Sequence, residues 1–166
     1  MLFDKEFEFV GKHAKYCRFL KEKGVFKTFR EVYSRSAIVG FVYGRTAAKD
    51  IVKNSTETVQ PASILASEMQ GKRKVLTETY RLIMLLHDVE GYSITDYQNR
   101  TFRDDADAEA YPDKLKDNMN LFNSYVLGGL ELIYDKFKDC DDEKSIVNVM
   151  NDFLLEFYED NDLMPE

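Results

Sequence analysis

His13 and Cys17 stand four residues apart, a spacing that places two side chains on one face of a helix. Imidazole and thiolate both bind zinc, so such a pair could supply two of the ligands of a metal site. The remaining histidine and cysteine, His87 and Cys140, are single residues far along the chain. Because a zinc site needs more ligands than this pair supplies, we predict no metal and interpret both side chains as packed or exposed ones.

The chain carries no motif that would hold a cofactor or supply a nucleophile. It has no phosphate-binding glycine loop and no nucleophile elbow. Carboxylates are frequent at 104–113 and 139–143, but the acidic run at 104–109 lacks the glycine and the distal glutamate of a calcium loop. The sequence therefore predicts no cofactor and favours a role without catalysis.

Arg81 and His87 are separated by five residues, a spacing that is similar to the Arg-x5-His motif of the HEPN ribonucleases. That resemblance implies an RNA-cleaving enzyme in which an arginine and a histidine from paired protomers act, the histidine as a general acid or base. Six residues correspond to about 600° of helical turn, so the two side chains would point to opposite sides of one helix. The alternative interpretation is an exposed arginine and a histidine near a helix end.

Charge is distributed unevenly along the chain. Residues 11–53 hold 11 Lys and Arg against 3 Asp and Glu, whereas residues 104–166 hold 5 against 18. Aromatic residues are interleaved with the early cations, as in surfaces that neutralise phosphates and stack bases. We predict that this basic face contacts nucleic acid or an acidic protein partner through Lys12, Lys15, Arg18, Arg30, Arg35 and Arg45. The alternative is that the two halves of the chain neutralise each other, within the fold or across a homodimer.

The length and composition are those of one globular domain. The chain has 166 residues, of which 44% are hydrophobic, enough to bury a substantial core. No apolar run approaches the length of a membrane-spanning helix, and the first residues lack the order of a signal peptide. Two cysteines outside CxxC spacing are most simply reduced thiols. We therefore expect a cytoplasmic protein that does not enter a membrane.

A central helix over residues 28–43 must organise the other elements. Thr28 and Glu31 form a capping-box pattern in which the glutamate reaches back to the Thr28 amide, and Gly44 is placed to end the helix. Before this helix we predict a short strand or extended arm at residues 1–9. A basic amphipathic helix then runs from Val10 to Lys23, ending at Gly24.

The middle of the chain is predicted to alternate between loops and helices. A long loop at 46–60 precedes a short helix from Pro61 to Met69. Ser93 is expected to cap a helix that runs to Phe102, before an acidic connection at 103–111. Between these, a helix from Lys72 to Glu90 is expected to direct inward Val75, Leu76, Leu82, Ile83, Leu86 and Val89.

Two further helices complete the predicted domain. The first begins at Pro112 and has a core-facing stripe formed by Leu115, Met119, Phe122, Val126, Ile133 and Phe137. Gly128 and Gly129 lie in its middle and indicate close approach of another helix, or a kink. Asp142 can cap the last helix, whose stripe is Ile146, Met150, Phe153 and Phe157.

The segment Phe29-Arg-Glu-Val-Tyr33, followed by Ala37, Gly40-Phe41 and Gly44-Arg45, resembles part of the small helical proteins found beside bacterial DNA-phosphorothioation (Dnd) systems. The resemblance covers about 17 residues and implies an accessory or regulatory role in phage defence, with no defined active site to carry over. Together these observations predict a single-domain, all-α irregular bundle of six or seven helices. We expect it to be a non-catalytic interaction or regulatory protein, with the HEPN-like ribonuclease as the alternative.

Overall fold

The computed structural model of this chain describes residues 2–50, 59–103 and 109–160. These residues form a mostly helical domain, as the sequence predicted, together with one two-stranded sheet, which it did not predict. In chain order the elements are β1 (Phe7–Phe9), α1 (Gly11–Glu22), α2 (Phe29–Val42), β2 (Ala62–Ile64), α3 (Ala66–Gly71), α4 (Arg73–Leu86), α5 (Ile94–Gln98), a π-helical turn (Asn99–Arg103), α6 (Pro112–Phe137) and α7 (Glu143–Asp160). No helix in the described ranges is both long enough and apolar enough to cross a membrane.

The pair α2 and α6 forms the centre of the fold, and glycines let the two backbones touch. A Cβ atom added at Gly40 would overlap the carbonyl oxygen of Tyr125, and one added at Gly129 would overlap the carbonyl oxygen of Ser36. Gly128 meets the backbone of Arg45 in the same way. The predicted close approach of another helix at this glycine pair is therefore confirmed.

The start and the end of α2 follow from local signals. The Thr28 hydroxyl accepts a hydrogen bond from the Glu31 amide at 3.2 Å, which confirms the N-cap. The second half of the predicted capping box is wrong, because the Glu31 carboxylate accepts from the amide of Lys27, at 2.8 Å, rather than from that of Thr28. Gly44 has a φ of +60° and ends the helix, just as Gly24, with a φ of +76°, follows α1.

The N-terminal arm is a strand, and its partner corrects one prediction. Phe7–Phe9 pairs antiparallel with Ala62–Ile64, with Phe9 opposite Ala62. The helix predicted from Pro61 is therefore wrong, and helix formation begins only at Ala66. Ala62 and Ile64 are buried and Ser63 lies between them, which is the alternation that a strand with one buried face requires.

Helix α4 buries a different face from the one predicted. Leu76 and Ile83 are buried as expected, together with Tyr80 and Met84. The prediction is wrong for three residues that lie exposed along the opposite side: Val75 (53% exposed), Leu82 (56%) and Leu86 (57%). We call these three residues the α4 stripe. The helix has two apolar faces, and only one of them packs on the core.

The remaining predicted elements are largely confirmed. Ser93 caps α5 through the amide of Asp96, although the helix gives way to a π-helical turn at Asn99. Asp142 accepts from the Ser145 amide at 2.7 Å and so caps α7. The central part of the predicted 46–60 loop, 51–58, and most of the acidic connection, 104–108, lie outside the described residues.

Candidate binding groove

A concave groove lies between α2, α6 and α7 and has a volume of 560 Å³, within the range typical of ligand sites. Its lining is mainly apolar, and we call it the α2–α6–α7 groove. The apolar residues that line it are Val25, Phe26, Val39, Ile133, Phe137, Met150, Phe153 and Leu154. A surface of this shape and composition can bind an apolar side chain or a short amphipathic segment.

Helical periodicity explains why these side chains converge. Glu31, Arg35 and Val39 recur every four residues and share one face of α2. Ile133 and Phe137 are four apart on α6 in the same way. The side chains of α7 complete the groove, so its shape depends on the packing of three separate helices.

Two cations lie at the rim of the groove. Lys27 and Arg35 both line it and are exposed. Within the part of the chain that the structure describes, the Arg35 guanidinium makes no ion pair. The one carboxylate at this rim, Glu31, accepts a hydrogen bond from a backbone amide, as described above. The rim therefore favours a ligand that carries negative charge next to apolar groups.

None of the other five predicted contact cations lines the α2–α6–α7 groove. Lys12 forms an ion pair with Glu131 at 2.8 Å, so the acidic half of the chain does neutralise part of the basic half. Arg18 donates to a carbonyl oxygen just before β2 at 2.6 Å, and Arg30 donates to one in α3 at 3.3 Å. Lys15 is exposed on α1.

Arg45 lies at a separate cleft of 520 Å³ between the end of α2, α6 and α7. Three carboxylates line that cleft with it: Glu131, Asp135 and Glu156. A cation surrounded by acidic residues is poorly placed to bind phosphate, because the carboxylates repel an anion. Of the six predicted cations, Arg35 alone lines the groove.

His13 and Cys17 belong to the core. His13 is 0% exposed, and its Nε2 lies 2.8 Å from the carboxylate of Glu131, which also accepts from Lys12. Burial lowers the pKa of His13 despite this carboxylate. The hydrogen bonds from Lys12 and His13 outweigh burial at Glu131, and its pKa is lowered. Burial also raises the pKa of the Cys17 thiol to about 12.

Among the described residues, no three His, Cys, Asp or Glu side chains are grouped to hold a metal.

The two residues of the HEPN-like motif contact different partners. The guanidinium of Arg81 lies over the ring of Phe102, with 5.5 Å from its carbon to the ring centroid. His87 follows the last residue of α4, and its Nδ1 lies 2.7 Å from the hydroxyl of Tyr125. Burial lowers the pKa of His87, and the nearby Arg100 lowers it further. RNA cleavage by this pair stays a prediction.

Arg100 is a polar core residue that sequence reasoning missed. It lies in the π-helical turn, is only 8% exposed, and donates through Nε to the Asn118 side chain at 3.1 Å. Its NH1 group is 3.5 Å from the carbonyl oxygen of His87. No periodic pattern marks it in the sequence, because a π-helical turn shifts residues away from the α-helical spacing. It connects the end of α4 to α6.

We compared the chain with protein-family profiles, curated proteins and solved structures, and none of the three comparisons returned a match.

Proposed function

We propose that this protein is a non-catalytic interaction module whose α2–α6–α7 groove binds an acidic, amphipathic helical segment of a protein partner. The observation that carries the proposal is the combination of an apolar lining with Lys27 and Arg35 at the rim. Amphipathic helices bind such grooves through apolar side chains spaced three, four and seven residues apart. Acidic residues on the flank of the segment would lie next to the two cations.

A protein segment fits the groove better than nucleic acid does. Binding of a nucleic acid backbone needs a row of available cations, each neutralising a phosphate. Lys12 is paired with a carboxylate, and Arg18 and Arg30 donate to backbone carbonyls. The groove itself offers mainly aliphatic and aromatic carbon, which suits leucine-like side chains.

The resemblance of residues 29–45 to Dnd-associated proteins extends the proposal to a biological setting. Arg35 and Val39 line the groove and lie inside that segment. On this proposal the protein acts in the bacterial cytoplasm as an accessory of a DNA-modification or phage-defence system, and the partner is one of its protein components. The partner is recognised by its acidic amphipathic helix.

Designed peptides test the charge preference. Two labelled helical peptides with the same leucine positions, one flanked by Glu and one by Lys, are titrated into the protein and followed by fluorescence anisotropy. We expect the acidic peptide to bind more tightly, and salt to weaken its binding. Lys27→Glu and Arg35→Glu should each weaken it, whereas Lys49→Glu, an exposed lysine outside the groove, should not.

Two neighbouring leucines on α7 provide a matched test of the site itself. Leu154 lines the groove, and Leu155 does not, although the two are 48% and 51% exposed. Leu154→Asp should abolish binding of the acidic peptide, and Leu155→Asp should leave it nearly unchanged. The proposal fails if both variants bind like wild type. It also fails if a duplex DNA probe, and not the peptide, perturbs the amide resonances of groove residues.

A further inference from the structure

Helix α7 carries an exposed apolar stripe of its own. Val147 (50% exposed), Leu154 (48%) and Tyr158 (44%) lie along one side of the helix, next to the side that packs on α6. We call these residues the α7 stripe. Nothing in the described parts of the chain covers it, just as nothing there covers the α4 stripe of Val75, Leu82 and Leu86.

The two stripes have identical spacing. In each, the second residue follows the first by seven positions, and the third follows the second by four. A polar residue fills the intervening position in both helices, Thr79 in α4 and Asn151 in α7. Each helix thus shows the 4-3-4 spacing of a coiled-coil seam, with a polar residue at one of its four positions. At 1.5 Å per residue, each seam is about 16 Å long.

The charges of the two helices are complementary. Helix α4 holds three basic residues and one acidic residue, whereas α7 holds one basic and five acidic residues. In an antiparallel arrangement, the exposed Lys72 and Lys74 at the start of α4 would meet the exposed Glu159 at the end of α7. At the other end, the exposed Lys144 of α7 would meet the exposed Glu90 that follows α4. The antiparallel orientation also aligns the two helix dipoles favourably.

We infer that α4 of one copy packs antiparallel against α7 of a second copy of this chain. The contact joins two different surfaces, so it can form twice in a two-fold dimer or repeat from copy to copy. One helix pair is smaller than a standard stable interface, and we therefore expect association that depends on protein concentration. Leu154 belongs both to the α7 stripe and to the α2–α6–α7 groove, but the residues substituted below, Leu82 and Val147, do not line the groove.

Complementation between two variants tests the contact. Leu82→Glu places a charge in the α4 stripe, and Val147→Glu places one in the α7 stripe. By sedimentation equilibrium we expect wild type to self-associate, and each variant to associate about tenfold more weakly or worse. An equimolar mixture should recover part of the association, because the intact α4 stripe of one variant meets the intact α7 stripe of the other. Ile94→Glu, at the most exposed apolar residue of α5, is the control and should behave like wild type.

Each other outcome overturns the inference. Wild type that stays monomeric at the highest attainable concentration rules out a second copy as the occupant. If Val147→Glu associates like wild type while Leu82→Glu does not, α4 pairs with α4, and the reverse result shows that α7 pairs with α7. A mixture that associates no better than its components also refutes the contact.

A charge exchange keeps the test decisive if either stripe variant unfolds. Lys72→Glu should weaken association without touching the core, because Lys72 is exposed. Adding Glu159→Lys to the same chain should restore it. Failure of the double variant to recover would contradict the antiparallel orientation. None of the substituted residues lines the groove, so all of these variants should still bind the acidic peptide, and failure here is distinguishable from failure of the proposed function.

Discussion

Gly129→Ala should destabilise the protein, because it inserts a methyl group between two backbones in contact. The new Cβ would overlap the carbonyl oxygen of Ser36 and crowd the amide nitrogen of Gly40. Overpacking costs about 1–3 kcal/mol, and the upper end applies here because backbone on α2 cannot rotate away as a side chain can. Alanine favours a helix interior over glycine by about 1 kcal/mol. The expected net loss in the free energy of unfolding is therefore about 2 kcal/mol.

Gly71→Ala is the matched control, since a Cβ at Gly71 would meet no atom within 4 Å and its backbone is not in the left-handed region. We expect it to be neutral or to stabilise by up to about 1 kcal/mol. The chain has no tryptophan, so urea unfolding is best followed by far-ultraviolet circular dichroism. For a domain of this size the loss at Gly129 corresponds to a melting temperature about 4–8 °C lower. Equal stability of the two variants would refute the close approach of α2 and α6.

Three further predictions follow from the polar contacts. Because burial lowers the pKa of His13 and of His87, the unfolded chain binds more protons than the folded one below about pH 6.5. Stability should therefore be full above that pH and should decline as the pH falls below it, and His13→Gln should flatten this decline in urea midpoints measured across the range. His87→Ala removes the contact with the Tyr125 hydroxyl and should lower the free energy of unfolding by about 1 kcal/mol. Under the proposed function neither wild type nor this variant cleaves RNA, whereas cleavage by wild type that His87→Ala abolishes would establish the HEPN-like alternative. Arg18→Ala should lower the urea midpoint rather than weaken binding of the acidic peptide, because the guanidinium donates to the carbonyl of Pro61.

Local signals were sufficient to predict most of the helices. The Thr28 cap and Gly44 bound α2 because a hydroxyl acceptor and a residue with positive φ act within one turn of the chain. Pro112 marks the start of α6 for the same kind of reason, since its missing amide costs nothing in a first turn. Even the close contact of α2 and α6 is indicated in the sequence, by the Gly128–Gly129 pair.

Features that depend on distant residues were not predictable in this way. The strand at Ala62–Ile64 exists because Phe7–Phe9 supplies its partner, and neither segment shows enough alternation alone. On α4, apolar residues occupy two faces, and the sequence does not say which of them the core will cover. Tyr80 and Met84 are on the buried face, although the larger number of aliphatic residues lies elsewhere.

The candidate groove was predicted only in part. Arg35 was identified from charge, and residues such as Phe137 and Met150 were identified as core-facing. The groove that they share exists because α2, α6 and α7 do not fill the space between them, and this depends on packing rather than on sequence pattern. Every residue has a backbone carbonyl, so the sequence does not indicate which carbonyls will accept hydrogen bonds from Arg18 and Arg30.

In the folded protein, several cations of the basic segment 11–53 are held by partners within the chain. Lys12 is paired with Glu131, and two early arginines donate to carbonyls, so the basic half presents fewer available cations than its composition indicates. Exposed cations remain at the start of α4, and exposed carboxylates remain on α7 at Asp152 and Glu159. Both sets lie beside apolar stripes of equal spacing. In the inferred contact, apolar burial and opposite charge favour the same arrangement. A second copy would cover both the α4 stripe and the α7 stripe, whereas a polyanion would bind only the cations at the start of α4.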